Sequence, residues 1–202
     1  MPDFQTDYTD EAEFSAGQAA RVSRLNPILQ RHYRQRGLLP EREGASHARF
    51  KIADVMRMTI MAAFSDSKIS TKATAAFSLK ASIVATAKLL AMDGAVDIDA
   101  ETPEAETYER ERLQSYARMF KTRYIFLPLP QSDDAPGTNE GWERETLADL
   151  ADLVGQDGSF HGVLIDLDAL ATLVYSRVTL PLQTHVVTMR PTETEEIGRA
   201  HV

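Results

Sequence analysis

The chain has 202 residues, of which 43 % are hydrophobic and 26 % are charged, a composition typical of globular proteins. It contains no cysteine, which excludes disulfides, thiolate metal sites and cysteine nucleophiles. No apolar run approaches the roughly 20 residues needed to span a bilayer, and the N-terminal residues lack the features of a secretory signal. We therefore expect a cytoplasmic protein that does not associate with membranes.

The net charge of −8 is unevenly distributed along the chain. Residues 1–13 carry five acids and no base, whereas residues 14–90 carry thirteen Lys and Arg against four Asp and Glu. Residues 91–202 carry nine Lys and Arg against twenty-one Asp and Glu. A basic segment between acidic flanks indicates a surface for nucleic acid, although the whole chain is acidic.

The N-terminal half shows the signals of two short helices joined by a tight turn. Residues 1–13 are polar and acidic, and we expect a disordered tail there. Ser15 is suited to cap a helix over 16–22. Asn26 caps a second helix, which begins at a proline and ends before Gly37, the expected left-handed residue.

A basic loop and further helices follow this pair. In residues 41–51, the basic side chains His47, Arg49 and Lys51 stand at alternate positions, and the segment predicts a hairpin-like wing. Apolar residues at helical spacing predict helices over 53–65 and 71–92. This order predicts a winged helix-turn-helix over 14–92 with one additional helix, which would insert its second helix, 27–36, into DNA.

The C-terminal half is acidic and contains both patterns typical of helices and patterns typical of strands. Residues 93–103 are expected to form a linker and a domain boundary. Beyond it, 104–190 predicts an α+β or α/β domain for dimerisation or effector binding, followed by a polar tail at 191–202. The expected elements include helices at 104–121, 142–153 and 169–176, the last capped by Asp168, and strands at 124–129 and 162–167. The fold class expected for the chain is thus a mainly α N-terminal domain followed by an α+β or α/β domain.

Several side chains of the second helix, the turn and the wing are of types that bind DNA. An Arg grips phosphate or makes a bidentate contact to guanine, a Gln pairs with adenine, and a Tyr hydroxyl donates to phosphate. Three residues of the wing alternate, so they can project from one face of a strand. The residues expected to contact DNA are Arg24, Gln30, Arg31, Tyr33, Arg34, Arg36, His47, Arg49 and Lys51.

The N-terminal segment resembles the DNA-binding domain of the MerR superfamily of regulators. The resemblance rests on FSAGQAA at 14–20, on RHYRQRGLLP at 31–40 and on Arg49 followed by Phe50. It implies that the second helix enters the major groove, where Arg31 and Tyr33 contact DNA, and that Arg49 grips the backbone. Members of the superfamily typically pair through a long helix, a role that the 104–121 helix would fill in a homodimer.

The function expected is that of a sequence-specific transcriptional regulator that binds double-stranded DNA and has no enzymatic activity, metal or cofactor. A small molecule or a protein would act as effector on the C-terminal half. One alternative is an architectural or recombination-directionality factor, and another is a basic face that binds an acidic protein. A third is a DNA-binding module fused to a ligand-binding or enzymatic domain, which a pocket holding Asp166, Asp168 and His161 would favour. In the main reading, a 1–93 fragment should still recognise DNA weakly.

Overall fold

The structure is a computed structural model that describes residues 4–39, 49–65, 71–128, 142–149 and 162–190. Helices and strands are interspersed along the chain. In chain order the elements are β1 Phe4–Glu11, β2 Phe14–Ser15, α1 Ala16–Ser23, α2 Pro27–Gln35, β3 Arg49–Phe50, α3 Ile52–Phe64, α4 Thr71–Leu90, β4 Val96–Ala100, α5 Pro103–Met119, β5 Tyr124–Pro128, β6 Trp142–Arg144, β7 Gly162–Asp166, α6 Leu167–Tyr175 and β8 Gln183–Met189.

The expected fold class is wrong, because the molecule mixes helices with three sheets and its N-terminal region begins with a strand. The first sheet has the order β1-β8-β4, with β1 antiparallel and β4 parallel to the central strand β8. Residues 4–11, expected to be disordered, and 96–100, expected to lie in a linker, are thus both strands of this sheet. Their backbone groups find partners in β8, which is distant in sequence, so local composition does not reveal the pairing.

The acidic side chains of β4 point away from the packed face of the first sheet. Val96 is buried and Ile98 is half-buried, whereas Asp97 and Asp99 between them are exposed. This alternation is the period-2 pattern of a strand with one face covered. The covered face packs on α5, which contacts β4, β8 and β1.

A buried polar cluster joins α5 to the first sheet. Glu109 is fully buried, and its carboxylate pairs with Arg112 (Nη2–Oε1 2.6 Å) and with His185 of β8 (Nδ1–Oε1 2.7 Å). Thr6 of β1 donates its hydroxyl to the same carboxylate, and Arg112 donates to the hydroxyl of Tyr8. Burial alone would raise the pKa of Glu109, but the hydrogen bonds from Arg112, His185 and Thr6 outweigh it and lower that pKa to about 2.

The third sheet corrects two further predictions in the C-terminal half. Its order is β6-β5-β7, with both outer strands antiparallel to β5. Residues 142–144 are therefore a strand, where the sequence predicts a helix from Trp142. The carboxylate of Asp166, rather than that of Asp168, caps α6 by accepting the N–H groups of Asp168 and Ala169.

The local signals of the first two helices are confirmed. Ser15 and Gln18 form a reciprocal capping box at the start of α1. The side chain of Asn26 accepts the N–H of Leu29 at the start of α2, and Gly37 after it has a φ of 67°. Of the predicted wing, residues 41–48 lie outside the described part of the chain, and β3 near its end pairs with β2.

One hydrophobic cluster spans both halves of the chain. It includes Phe14, Phe50 and Phe64 from the first half and Ile125 and Leu167 from the second. The long helix α4 packs on α3 on one side and on α6 on the other. Within the described residues, no helix is both long and apolar enough to cross a lipid bilayer.

Candidate nucleic-acid interface

The inward face of α2 is formed by two residues that the sequence predicts to contact DNA. Gln30 is 1 % exposed, and its Nε2 donates to the carbonyl oxygens of Ala16 (3.2 Å) and Leu25 (2.8 Å). Tyr33 is 8 % exposed and belongs to the hydrophobic cluster. The prediction that Gln30 reads a base is corrected by this geometry, because its amide ties α2 to α1 and to the turn.

Four residues form the outward stripe of α2, which we call the α2 outer face: Ile28, Arg31, His32 and Gln35. All four are exposed, and Ile28 is 79 % exposed. Their spacing of three and four residues places them on one side of the helix. The face thus combines a cation, an amide, an imidazole and an aliphatic side chain, which are types that can contact phosphates and base edges.

Cationic side chains flank the α2 outer face at both ends of the helix. Arg24 is exposed and adopts a left-handed conformation (φ 61°), with its N–H donating to the carbonyl of Ala20. Arg36 is exposed at the other end, as is Arg21 on the last turn of α1. These positions suit phosphate contacts on either side of a groove.

Arg34 lies on a different side of α2 from this face. It is half-buried, and its guanidinium carbon lies 5.1 Å from the centroid of the Phe50 ring. A cation over an aromatic ring is attracted to the ring face. The side chain thus links α2 to β3, a role that the sequence does not reveal.

The basic residues at the end of the wing are paired with acids of the N-terminal segment. Lys51 Nζ lies 2.8 Å from Glu11 Oε2, and Arg49 Nε lies 3.8 Å from Glu13 Oε2. The hydrogen bond to Glu11 raises the pKa of Lys51. Both basic side chains are more than half exposed, so these are surface ion pairs. His47 lies outside the described residues.

Of the residues considered for an enzymatic site, Asp166 and Asp168 both pair with Arg123. Asp166 caps α6 and accepts from Arg123, and Asp168 pairs with Lys88. Although burial alone would raise the pKa of Asp166, the hydrogen bonds from Arg123 and from backbone N–H groups lower it. His161 falls outside the described residues. Among the residues that the structure describes, no three His, Asp or Glu side chains form a group that could hold a metal ion.

Comparison with known proteins does not assign the chain to a family. No protein-family model matches the chain, and no curated protein matches it.

Proposed function

We propose that the protein binds double-stranded DNA through the α2 outer face and regulates transcription. The observation that carries the proposal is the outward stripe of Ile28, Arg31, His32 and Gln35 on a helix whose opposite side is anchored in the core. An α-helix of this kind fits the major groove of B-DNA. The resemblance of residues 14–64 to MerR regulators also implies that this helix enters the major groove with Arg31 at the DNA.

Each side chain of the face has a role that its chemistry favours. Arg31 binds guanine or a phosphate, and Gln35 takes the adenine-pairing role that the sequence assigned to Gln30. Ile28 is suited to contact a thymine methyl group. Arg24 and Arg36 bind phosphates and fix the register of the helix on the duplex.

The proposed regulator is cytoplasmic and binds DNA as a homodimer of two copies of this chain. Tyr116 (47 % exposed) and Met119 (75 % exposed) of α5 support pairing through this helix, as the resemblance implies. Two symmetry-related α2 helices would then read two half-sites of a palindrome. Sedimentation equilibrium should give twice the chain mass, and Met119→Glu should shift the protein towards monomer. A monomer mass for the unsubstituted protein would contradict the pairing.

The experiment for DNA binding is selection of duplexes from a random library, followed by fluorescence anisotropy on the enriched site. Arg31→Ala should weaken binding about ten- to a hundredfold without lowering Tm, because the side chain is exposed. Gln30→Ala should lower the free energy of unfolding by about 1–2 kcal/mol, because two carbonyls lose their donor. Arg110→Ala, an exposed Arg of α5 paired with Glu106, is the matched control.

The salt dependence supplies a second readout of the same experiment. Neutralisation of about four phosphates per chain by Arg24, Arg31, Arg36 and Arg49 predicts a slope in log affinity against log salt of about −4 for one chain and about −7 for a homodimer. The proposal would be contradicted if the library yielded no enriched sequence, or if Arg31→Ala left the affinity for DNA unchanged.

A further inference from the structure

A cleft of about 560 Å³ opens between the C-terminal ends of α4 and α5 and the first turns of α6. This volume lies within the range of roughly 300–1,000 Å³ that is typical of sites for small molecules. The cleft is remote in sequence from the α2 outer face, and none of the residues expected to contact DNA lines it.

The charged side chains of the cleft are mainly cationic. Lys88, Arg118, Lys121 and Arg123 face two carboxylates, those of Glu145 and Asp168. Three of these four cations come from residues 91–202, where acids outnumber bases by more than two to one. Several cations converging on a concave surface attract an anion more strongly than isolated surface cations do, because the walls exclude part of the solvent.

One carboxylate of the protein already lies between two of these cations. Asp168 Oδ1 is 2.5 Å from Lys88 Nζ, and its Oδ2 is 3.4 Å from Arg123 Nε. The side chain of Lys88 is only 18 % exposed, so its charge is held in a partly desolvated position. The geometry around Asp168 shows that this part of the cleft accommodates a carboxylate group.

The remaining two cations lie along the end of α5. Arg118 donates to the side chain of Gln114, a neutral partner, and no ion pair of Lys121 occurs in the described part of the chain. Neither Arg118 nor Lys121 therefore has its charge balanced by a carboxylate of the cleft. These two side chains can bind an incoming anion without breaking an ion pair.

An apolar wall completes the cleft. Met92, Ala117 and Phe120 line it. The ring of Phe120 is held edge-to-face against Tyr116, with 5.2 Å between the centroids. A ligand body that contacts this wall would bury apolar surface, which inorganic phosphate cannot do.

We propose that this cleft binds a small organic anion that carries a carboxylate or phosphate group on an apolar body. The anionic group binds Arg118 and Lys121, and the body packs on Phe120 and Met92. The carboxylate of Asp168 competes with the ligand for Lys88 and Arg123.

The test is an NMR titration of the ¹⁵N-labelled full chain with phenyl phosphate, benzoate, inorganic phosphate and benzyl alcohol. Phenyl phosphate and benzoate should shift the amide signals of the cleft and bind at least about tenfold more tightly than benzyl alcohol. Inorganic phosphate should bind more weakly than phenyl phosphate, because it lacks the apolar body. Comparison of benzoate with phenyl phosphate distinguishes the two anionic groups.

Variants distinguish specific binding in the cleft from non-specific binding to the surface. The double variant Arg118→Gln/Lys121→Gln should weaken phenyl phosphate binding about tenfold, whereas Arg110→Gln, on the same helix outside the cleft, should leave it unchanged. Asp168→Asn should tighten binding, because it removes the internal competitor, and Asp166 rather than Asp168 caps the helix. Equal binding of benzyl alcohol, shifts outside the cleft, or full affinity in the double variant would overturn the proposal. No DNA is present, so the result is independent of DNA binding.

Discussion

At the scale of single residues, burial determines which polar side chains remain available to a partner. Gln30 and Gln35 are of the same type on the same helix, yet the first is 1 % exposed and bonded to two carbonyls, whereas the second is exposed. Residue type and helical spacing predict that α2 carries side chains of types that bind DNA, and this stays a prediction. They could not predict which side of α2 faces outwards, because that depends on the carbonyls of Ala16 and Leu25, which only the folded chain places beside Gln30.

Glu109 makes a pH-dependent contribution to stability. Its pKa is lowered to about 2 in the folded protein, from 4.5 as its ordinary value. The folded state therefore binds fewer protons, so the stabilisation is fully present above about pH 4.5 and is lost as the pH falls towards 2. The loss should amount to about 3 kcal/mol in the free energy of unfolding.

Urea unfolding at a series of pH values measures this contribution. Glu109→Gln should flatten the dependence between pH 2 and 4.5. Glu106→Gln, an exposed carboxylate on the same helix, is the control and should leave the slope in place. If the Glu109→Gln protein lost stability on acidification as steeply as the unsubstituted one, the cluster around Glu109 would not be the source.

At the scale of elements, the end of β1 and the residues after it place acidic side chains next to the basic end of the wing. Glu11 and Glu13 pair with Lys51 and Arg49, the two described wing residues that the sequence assigns to DNA. Exposed ion pairs of this kind contribute about 0.2–1 kcal/mol each, so DNA phosphates can replace the carboxylates at a small cost. In the proposed complex with DNA, the N-terminal acids would thus lower the affinity of the wing without blocking it.

Removal of these two acids should strengthen DNA binding. The double variant Glu11→Gln/Glu13→Gln should raise affinity about three- to tenfold, because Lys51 and Arg49 are released for phosphate contacts. Anisotropy titrations at low salt would measure the change. Asp97→Asn/Asp99→Asn removes the same charge from the opposite edge strand of the first sheet and is the matched control. An equal gain in both double variants would show that net charge, and not the local pairing, is responsible.

The elements differ in how far the sequence could predict them. The bounds of α1 and α2 follow from caps such as Ser15 and Asn26, which act within one turn of the helix. β1 and β4 are not predictable in this way, because both are acidic and both depend on β8, which follows much later in the chain. β6 is wrongly predicted for a similar reason, since residues 129–141 separate it in sequence from its partner β5.

At the scale of the whole molecule, the continuous core sets limits on how the chain can be divided. The sequence predicts that a 1–93 fragment would keep weak DNA binding. In this fragment, however, β1 would lack its partner strand β8, and α4 would lack its contact with α6. We expect this fragment to lack a cooperative unfolding transition and to show poorly dispersed amide signals, because the exposed apolar face of α4 would have no cover. Circular dichroism melting and a ¹H–¹⁵N spectrum test this expectation. A well-dispersed spectrum with a sharp transition would contradict it and would identify residues 1–93 as a separate folding unit.

The position of β8 at the centre of the first sheet also affects the order of events during synthesis. β1 leaves the ribosome early, but its hydrogen-bonding partner is made only when residues 183–189 are added. At roughly 5–20 residues per second, the nascent β1 strand waits on the order of ten to thirty seconds without that partner. The acidic residues of β1 repel one another and are poorly suited to pair with other chains. We therefore expect the acidic charge of this segment to protect the unfinished chain from aggregation.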